Sequence, residues 1–577
     1  MKRRDVLSGA AAIAGVSLAH AGCVSPRAAT TKARPGEPGW PSDAEWAALD
    51  EAVGGRLAPV AIPDLGSEEA RKLVANPFWL GDQAGLTESS GWLDGWTSSP
   101  SAYVVRAASA ADVAAAVRFA QARNIRLVVR GGGHSYLGGS NAPDSLLVWT
   151  RDMEAIELHD AFTPAGCATA PVPAVSVGAG CIWGRVYDAA TTRGGRYVQG
   201  GGCTSVGVAG LVLGGGFGSF SKMFGLAAAS LLEAEIVTAD GEIRIVNSCR
   251  EPDLFWALKG GGGGTFGVVT RLTLRTHDLP ETFGAVRFTV RARSDGAFRR
   301  LLARFVAEYA AHLFNPHWGE QVRATPDNVL SCEMLFAGLS GAAAGEAWRG
   351  LRNFVDASPG DYETTAPFQV LAAPARRLWD KTFLEQIPGA IVADDRPGAR
   401  PRDFWWAGDG DQAGAFWHGY HSAWLPASLL EGEGREKLVS AWFEASRIWD
   451  VAFHFNKGLA GADAATLARS RDTSMNPQVL DAFALAIIAG EGAPIFRGFP
   501  EPDRVRAREN ASRIAQSMAA LKAAAPGAGN YLSECDYFNE NWREASWGVH
   551  AARLERIKRR YDPQGVFTVH HGVGSEA

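Results

Sequence analysis

Three glycine runs constrain the fold of this 577-residue chain more than any other feature: RGGGHSYLGGS (130–140), QGGGCTSVGVAGLVLGGGFGS (199–219) and KGGGGGTFGVVT (259–270). Glycine lacks the Cβ that disfavours positive φ, so consecutive glycines can turn sharply and aim successive N–H groups at one anion. A single run of this kind reads equally well as a tight turn. Three in one stretch, set beside short strand patterns, read as a cradle for a phosphate-bearing ligand.

The common nucleotide folds do not supply that cradle. Gly262, Gly264 and Gly267 spell G-x-G-x-x-G, but residues 253–258 before them read as helix and 268–274 after them as strand. That order is the reverse of the strand, turn and helix that set a pyrophosphate on a helix N-terminus. In the second run Ser219 stands where a third glycine is needed, and no run carries the Gly-Lys-Ser/Thr of a P-loop. The remaining reading is a nucleotide held by a different fold. A Ser/His/Asp hydrolase lacks its G-x-S-x-G elbow here. The pairs His570-His571 and His418/His421 have no neighbouring carboxylate or cysteine set, so they read as packed or solvated and no metal site is expected.

The chain is too long for one ordinary core, and its pattern divides it. Residues 1–21 read as an export signal: Lys2-Arg3-Arg4, an apolar run to Ala19, then Ala19-His20-Ala21 as a cleavage site. The paired arginines point to the twin-arginine export machinery and a periplasmic location, with an ordinary secretory signal as the alternative. Lipid attachment at Cys23 is the weaker reading, because His20 stands where a leucine would be wanted. Residues 22–97 form a polar N-terminal extension with a helical patch at 44–52. Residues 98–280 read as an α+β lobe: Ser109 caps a helix with Asp112 three residues on, and strands follow at 125–129, 174–177, 234–238, 243–246 and 268–274. Residues 281–526 are a tryptophan-rich second lobe with longer helices such as 295–312, and 527–577 form a C-terminal segment whose helix stops at Tyr561-Asp562-Pro563. A net charge of -5 with 46% hydrophobic and 21% charged residues excludes disorder and any global basic surface for nucleic acid. No apolar run after the signal is long enough to span a bilayer. Seven cysteines (Cys23, Cys167, Cys181, Cys203, Cys249, Cys332 and Cys535) leave one over, with disulfides permitted and their pairing open.

The runs VVRGGGHSYLGGSNAPDSLLVWT and QGGGCTSVGVAGLVLGGGFGSFSKMFGL, with YDPQGVFTVHHGVGSE at the C-terminus, resemble the berberine-bridge-enzyme-like FAD-linked oxidases of the vanillyl-alcohol-oxidase superfamily. The resemblance covers 98–280 and 527–577 and is much weaker between. It implies an α+β fold: a two-subdomain PCMH-type FAD-binding domain, to which 527–577 returns, plus an α+β substrate domain with an antiparallel sheet backed by helices. It implies FAD bound covalently through His134 and also Cys203, with Arg130, Gly131, Gly132, Gly133, Ser135, Gly138, Gly201, Gly202, Val206, Gly207, Gly210, Gly214, Gly215, Gly218, Gly267 and Val268 around it. A neutral imidazole can attack the electrophilic methyl carbon of an oxidised flavin, and a thiolate can add to the neighbouring ring position. Gly201 and Val206 match the pattern of oxygen-reactive members.

Tyr531 is the implied catalytic base, through a phenol whose pKa must be brought down towards the working pH. His454, Asn456 and Lys457 fall on the substrate side. There are departures: Leu211 stands for a histidine, Phe217 for a tyrosine, and Ser533 for the asparagine of the family's Tyr-x-Asn. The function so implied is an oxidase that transfers a hydride from an alcohol-like or sugar-like small molecule to FAD, with molecular oxygen as acceptor giving hydrogen peroxide. The alternatives are a dehydrogenase passing electrons to a quinone or protein acceptor, and a non-catalytic flavin- or ligand-binding protein of the envelope. The substrate itself is not written in the sequence.

Overall fold

The helix Ala110–Ala122 starts where its cap predicts. The Ser109 side chain accepts from the Asp112 N–H at 3.2 Å, and the Asp112 carboxylate accepts from the Ser109 N–H at 3.0 Å, which closes a capping box. Its apolar face, with Val113, Val117 and Ala120, packs on Leu127, Leu146 and Val148 of the adjoining strands. This is a computed structural model that describes residues 32–575; the export signal and Cys23 lie outside the described residues.

Two sheets build the first lobe. One runs Leu57–Pro59, Tyr103–Arg106, Ser145–Trp149, Arg126–Arg130, with the last three parallel. The other runs Ile243–Asn247, Leu231–Val237, Val268–Asp278, Val172–Gly178, Ile156–Phe162 and is antiparallel; Arg196–Val198 pairs along the far end of Val268–Asp278. Each glycine run adjoins a strand end. The first follows Arg126–Arg130, the second follows Arg196–Val198, and the third leads from the helix Pro252–Ala257 into Val268–Asp278. That last order is the helix, loop, strand order expected. A disulfide between Cys167 and Cys249, with Cα atoms 5.5 Å apart, ties the loop after Ile156–Phe162 to the loop after Ile243–Asn247.

The second lobe is a sheet of nine strands, in the order Tyr362–Pro374, Thr282–Ala292, Val329–Ala337, Trp318–Ala324, Val451–His454, Ala482–Gly492, Ala415–Pro426, Ser89–Trp92, Trp96–Thr97. It is antiparallel except where Ser89–Trp92 meets Ala415–Pro426. The helices Asp295–Glu308, Gly432–Ile448 and Arg504–Lys522 cover one face through Phe298, Phe305, Trp442 and Ile514. The opposite face presents Trp417, Tyr420, Trp424 and Ile487 towards Phe217 and Tyr531. Most of the tryptophans are core: Trp183, Trp318, Trp348, Trp424 and Trp442 are among the largest fully buried side chains.

The polar stretch before residue 98 is more than an extension. Leu57–Pro59 edges the first sheet, and Ser89–Trp92 with Trp96–Thr97 closes the nine-stranded one. These strands span only two to four residues, too short to display a period of two. At the other end, Trp542, Trp547, Leu554 and Ile557 pack into the core of the glycine-loop lobe.

Candidate active site

Arg130 ends its strand almost fully buried. Its guanidinium donates to Leu86 O at 2.6 Å and Gln83 O at 2.9 Å and lies 4.5 Å over the Trp149 ring. Burial, and then the neighbouring Arg151, push its pKa down to about 9. Beyond it the first glycine run bends into a cavity of about 440 Å³ between the two lobes, a size usual for a small-molecule or cofactor site. Gly133 takes φ +88°, which a side chain would strain. A Cβ on Gly132 would stand 2.5 Å from Gly207 N, so the first two runs touch backbone to backbone. Gly202 and Gly210 face space in which a Cβ meets nothing within 4 Å. The cavity is thus walled largely by bare backbone and bordered by a cation with carbonyl partners, which suits a diphosphate-bearing ring system such as FAD.

Of the residues marked in the sequence, Arg130, Gly131, Gly132, Gly133, His134, Ser135, Gly201, Gly202, Cys203, Val206, Gly207, Gly210, Gly267, His454, Asn456, Lys457 and Tyr531 line this cavity. Gly138, Gly214, Gly215, Gly218 and Val268 do not. The four glycines are fixed by close packing instead: a Cβ would collide with Trp96, Ser533, Met475 and Gly200 respectively. Val268 is wholly buried in its strand. A glycine run cannot show from its letters which members face the ligand and which face a neighbour.

His134 faces the cavity with Nε2 3.3 Å from Ser205 Oγ. Its enclosure lowers the imidazole pKa to about 4, so the ring is neutral near pH 7. Cys203 is a free thiol; burial first, and then the nearby Asp409 carboxylate, hold its pKa well above the ordinary value.

Tyr531 meets opposed influences. Burial, and then nearby Glu534, raise the phenol and outweigh the smaller pull of Ser533 and Gly216 towards phenolate. The lowered pKa that the sequence reading required is therefore not what the fold provides.

On the substrate side, Lys457 Nζ donates to both oxygens of Glu534 at 2.6 and 2.7 Å. Asn456 Nδ2 lies 3.4 Å from Glu320 Oε1, while Asn456 Oδ1 is buried with no partner. Burial drives the His454 imidazole well below its ordinary pKa, so it is neutral.

Sequence reasoning missed Glu320, Asp409, Glu534 and Tyr420. Glu320 sits at φ +66°, a left-handed conformation uncommon for glutamate, and burial raises its carboxyl pKa. Only Glu534, three residues after Tyr531 in the same C-terminal segment, carried a signal that could have been followed. The histidines doubted as ligands are packed: His570 stacks on Tyr537 at 3.7 Å, and His418 Nδ1 lies 3.2 Å from Asn510 Nδ2. Among the described residues no cluster of ligating side chains could hold a metal ion, and no helix is long and apolar enough to cross a membrane.

The chain is similar to known flavoproteins. Residues 100–247 match the FAD binding domain family and 522–574 the family described as berberine and berberine like. The chain is 29% identical to the VAO-type flavoprotein oxidase VAO615 of Thermothelomyces thermophilus, over 94% of this chain and 92% of that one. It superposes on the crystal structure of the VAO-type flavoprotein MtVAO615 from Myceliophthora thermophila C1 with a TM-score of 0.77 at 25% identity, covering 95% and 98% of the two chains. The chain carries the FAD binding domain and the berberine-like segment found in FAD-linked oxidases and shares the fold of the VAO-type flavoproteins. This oxidase is therefore an FAD-dependent oxidoreductase acting on an organic substrate. At greater distance its fold matches glucooligosaccharide oxidase from Acremonium strictum, with a TM-score of 0.67 at 20% identity over 93% of this chain and 99% of that one.

Proposed function

We propose that this flavoenzyme holds FAD by two covalent bonds, at His134 and Cys203, and oxidises an alcohol-like or sugar-like carbon with molecular oxygen as acceptor, releasing hydrogen peroxide. The observation that carries the reading is the convergence of a neutral imidazole, a cysteine thiol and a tyrosine on one glycine-walled cavity. An imidazole nitrogen is nucleophilic only when unprotonated, and the enclosure of His134 secures that form. The Acremonium strictum oxidase carries a 6-S-cysteinyl, 8α-N1-histidyl FAD, which supports the two-bond reading here. Bound FAD accepts a hydride and hands electrons on to oxygen.

The chain's own residues bind and orient. Arg130 and the glycine backbones bound the phosphate-bearing side of the cavity. Asn456 Oδ1, buried and unpartnered, takes a hydroxyl or N–H donor from the substrate. Tyr531 receives the proton of the substrate hydroxyl, with Ser533 and Gly216 supporting the charge that develops on its oxygen. Small neighbours at Gly201 and Val206 leave room for oxygen. Export through the twin-arginine route into the periplasm is part of the proposal, supported by the Cys167–Cys249 disulfide, which an oxidising compartment maintains.

The test is direct. Acid-precipitated protein stays yellow, the His134→Ala and Cys203→Ala variants each keep their flavin, and the double variant releases it. Flavin that leaves the wild type on acid treatment overturns the covalent reading. A screen of sugars and alcohols that follows bleaching of flavin absorbance and peroxide release then identifies the substrate. Bleaching with slow reoxidation in air points instead to a dehydrogenase.

A further inference from the structure

The segment 404–414 grips the cysteine loop from outside. Trp406 Nε1 donates to Gly202 O at 3.0 Å and Thr204 Oγ1 donates to Phe404 O at 2.5 Å, so the backbone is held on both sides of Cys203. The Asp409 N–H donates to Trp406 O at 2.9 Å, which fixes the turn that brings the Asp409 carboxylate to the Cys203 S–H. Asp409 Oδ2 is buried without a hydrogen-bond partner, and so is Glu88 Oε2. Glu88 is clamped between the same segment and the histidine loop: Gly414 N–H donates to Glu88 O at 2.7 Å, and Glu88 N–H donates to Gly133 O at 3.2 Å.

Two buried carboxyl groups with orphaned oxygens are costly, and such groups in a native fold call for a role. Burial pushes Glu88 to about 8 and Asp409 to about 6. Near neutral pH Asp409 is ionised while Glu88 keeps its proton, so a single negative charge faces the sulfur. A cysteine attacks only as thiolate, and the resting thiol is held protonated by burial and by Asp409 itself. Its proton therefore has to leave during attack, and the Asp409 carboxylate is the acceptor beside it.

We propose that Asp409 is the base that removes the Cys203 proton as the sulfur bonds to the flavin ring, so that the chain builds its own second tether, with Glu88 as a neutral positioning residue behind it. This rests on the reading above that Cys203 is a tether. The S–H bond and the ring C–H bond it replaces are broken and an S–C bond is formed. The two electrons and two protons released reduce molecular oxygen to hydrogen peroxide; Asp409 carries the thiol proton and returns to carboxylate.

The experiment is peptide mapping by mass spectrometry of Asp409→Asn, alone and combined with His134→Ala. Asp409→Asn is expected to stay yellow through His134, which shows that it folds and binds flavin, while the fraction of the Cys203 peptide carrying flavin falls at least about tenfold. The double variant is expected to bind flavin and release it in acid, whereas His134→Ala keeps it. Asp409→Glu restores part of the cross-link. Should Asp409→Asn fail to accumulate, Asp409→Ser is scored in the same way. A sulfur–flavin cross-link formed at the wild-type rate without the carboxylate overturns the proposal and leaves the Cys203 tether standing. Complete release from His134→Ala alone overturns the tether reading, and this proposal with it.

Discussion

Tyr531 shows how a fold sets the working range of a side chain. Burial, and then Glu534, keep the proton on at rest, against the smaller pull of Ser533 and Gly216 towards phenolate. A base with a raised pKa gains its active form only as pH climbs, so the rate of flavin reduction is expected to rise with pH and not to level off below about 10, the ordinary value for tyrosine. Tyr531→Phe is expected to slow reduction on the order of a hundredfold or more with the tethers intact; stopped-flow reduction across pH checks both, and a change of only a few-fold moves the base elsewhere. Glu88 gives a stability prediction of definite sign. Its pKa rises from 4.5 to about 8 on burial, so the folded state binds its proton more tightly than the unfolded state. That contribution is fully present below about pH 4.5 and is lost as pH rises through 8. Thermal midpoints are expected to fall over that window, with Asp409 adding to the slope below about 6, and Glu88→Gln is expected to flatten the curve and raise the midpoint at pH 8 by about 2 °C or more. Neither behaviour could be read from letters. His134, Cys203 and Tyr531 were legible because they sit in or beside glycine motifs and in a characteristic C-terminal stretch. Glu88, Asp409 and Glu320 sit in no motif and acquire their character only by being buried together.

Elements were legible where local signals agree with tertiary packing. The Ser109–Asp112 box fixed the start of Ala110–Ala122, and the strand patterns at 234–238 and 268–274 overlap the longer strands Leu231–Val237 and Val268–Asp278. The short strands Ser89–Trp92 and Trp96–Thr97 were hidden, since the first is held by pairing with residues more than 300 positions away, the second pairs only with the first, and neither has a pattern of its own. The disulfide pairing was equally invisible, because it depends on two loops brought together by the antiparallel sheet. Cys167 and Cys249 close a separation of 82 residues, and loss of a cross-link of that span costs about 2–4 kcal/mol. Cys167→Ser with Cys249→Ser is therefore expected to lower the midpoint of urea unfolding, with the wild type falling to the same value under reductant. Both cysteines lie away from the cavity, so flavin content after acid precipitation should not change.

At the scale of the whole molecule, the cavity exists only because segments far apart in sequence close on one another: the glycine runs, the substrate sheet and the C-terminal return. Lys558 is one of the pins of that closure. Its ammonium, on a side chain only 5% exposed, donates to Thr265 O at 2.6 Å in the third glycine run and to Phe567 O at 2.5 Å, and it pairs with Asp562 Oδ2 at 2.6 Å. Asp562 in turn accepts from the Val566 and Phe567 N–H groups. The charges therefore satisfy backbone groups from two segments at once, and the ion pair acts as the knot between them. Removing one partner of a buried pair leaves the other uncompensated, at a cost of about 3–5 kcal/mol. Lys558→Met keeps the aliphatic stem but strands Asp562 and frees the Thr265 and Phe567 carbonyls. The variant is expected to unfold at lower urea by an amount in that range. Combined with His134→Ala and Cys203→Ala, it is also expected to bind FAD more weakly than the double variant alone, because Thr265 and its glycine neighbours line the cavity. Equilibrium titration of flavin into the two proteins measures this, and equal affinities would show that the C-terminal return supports the fold without shaping the site.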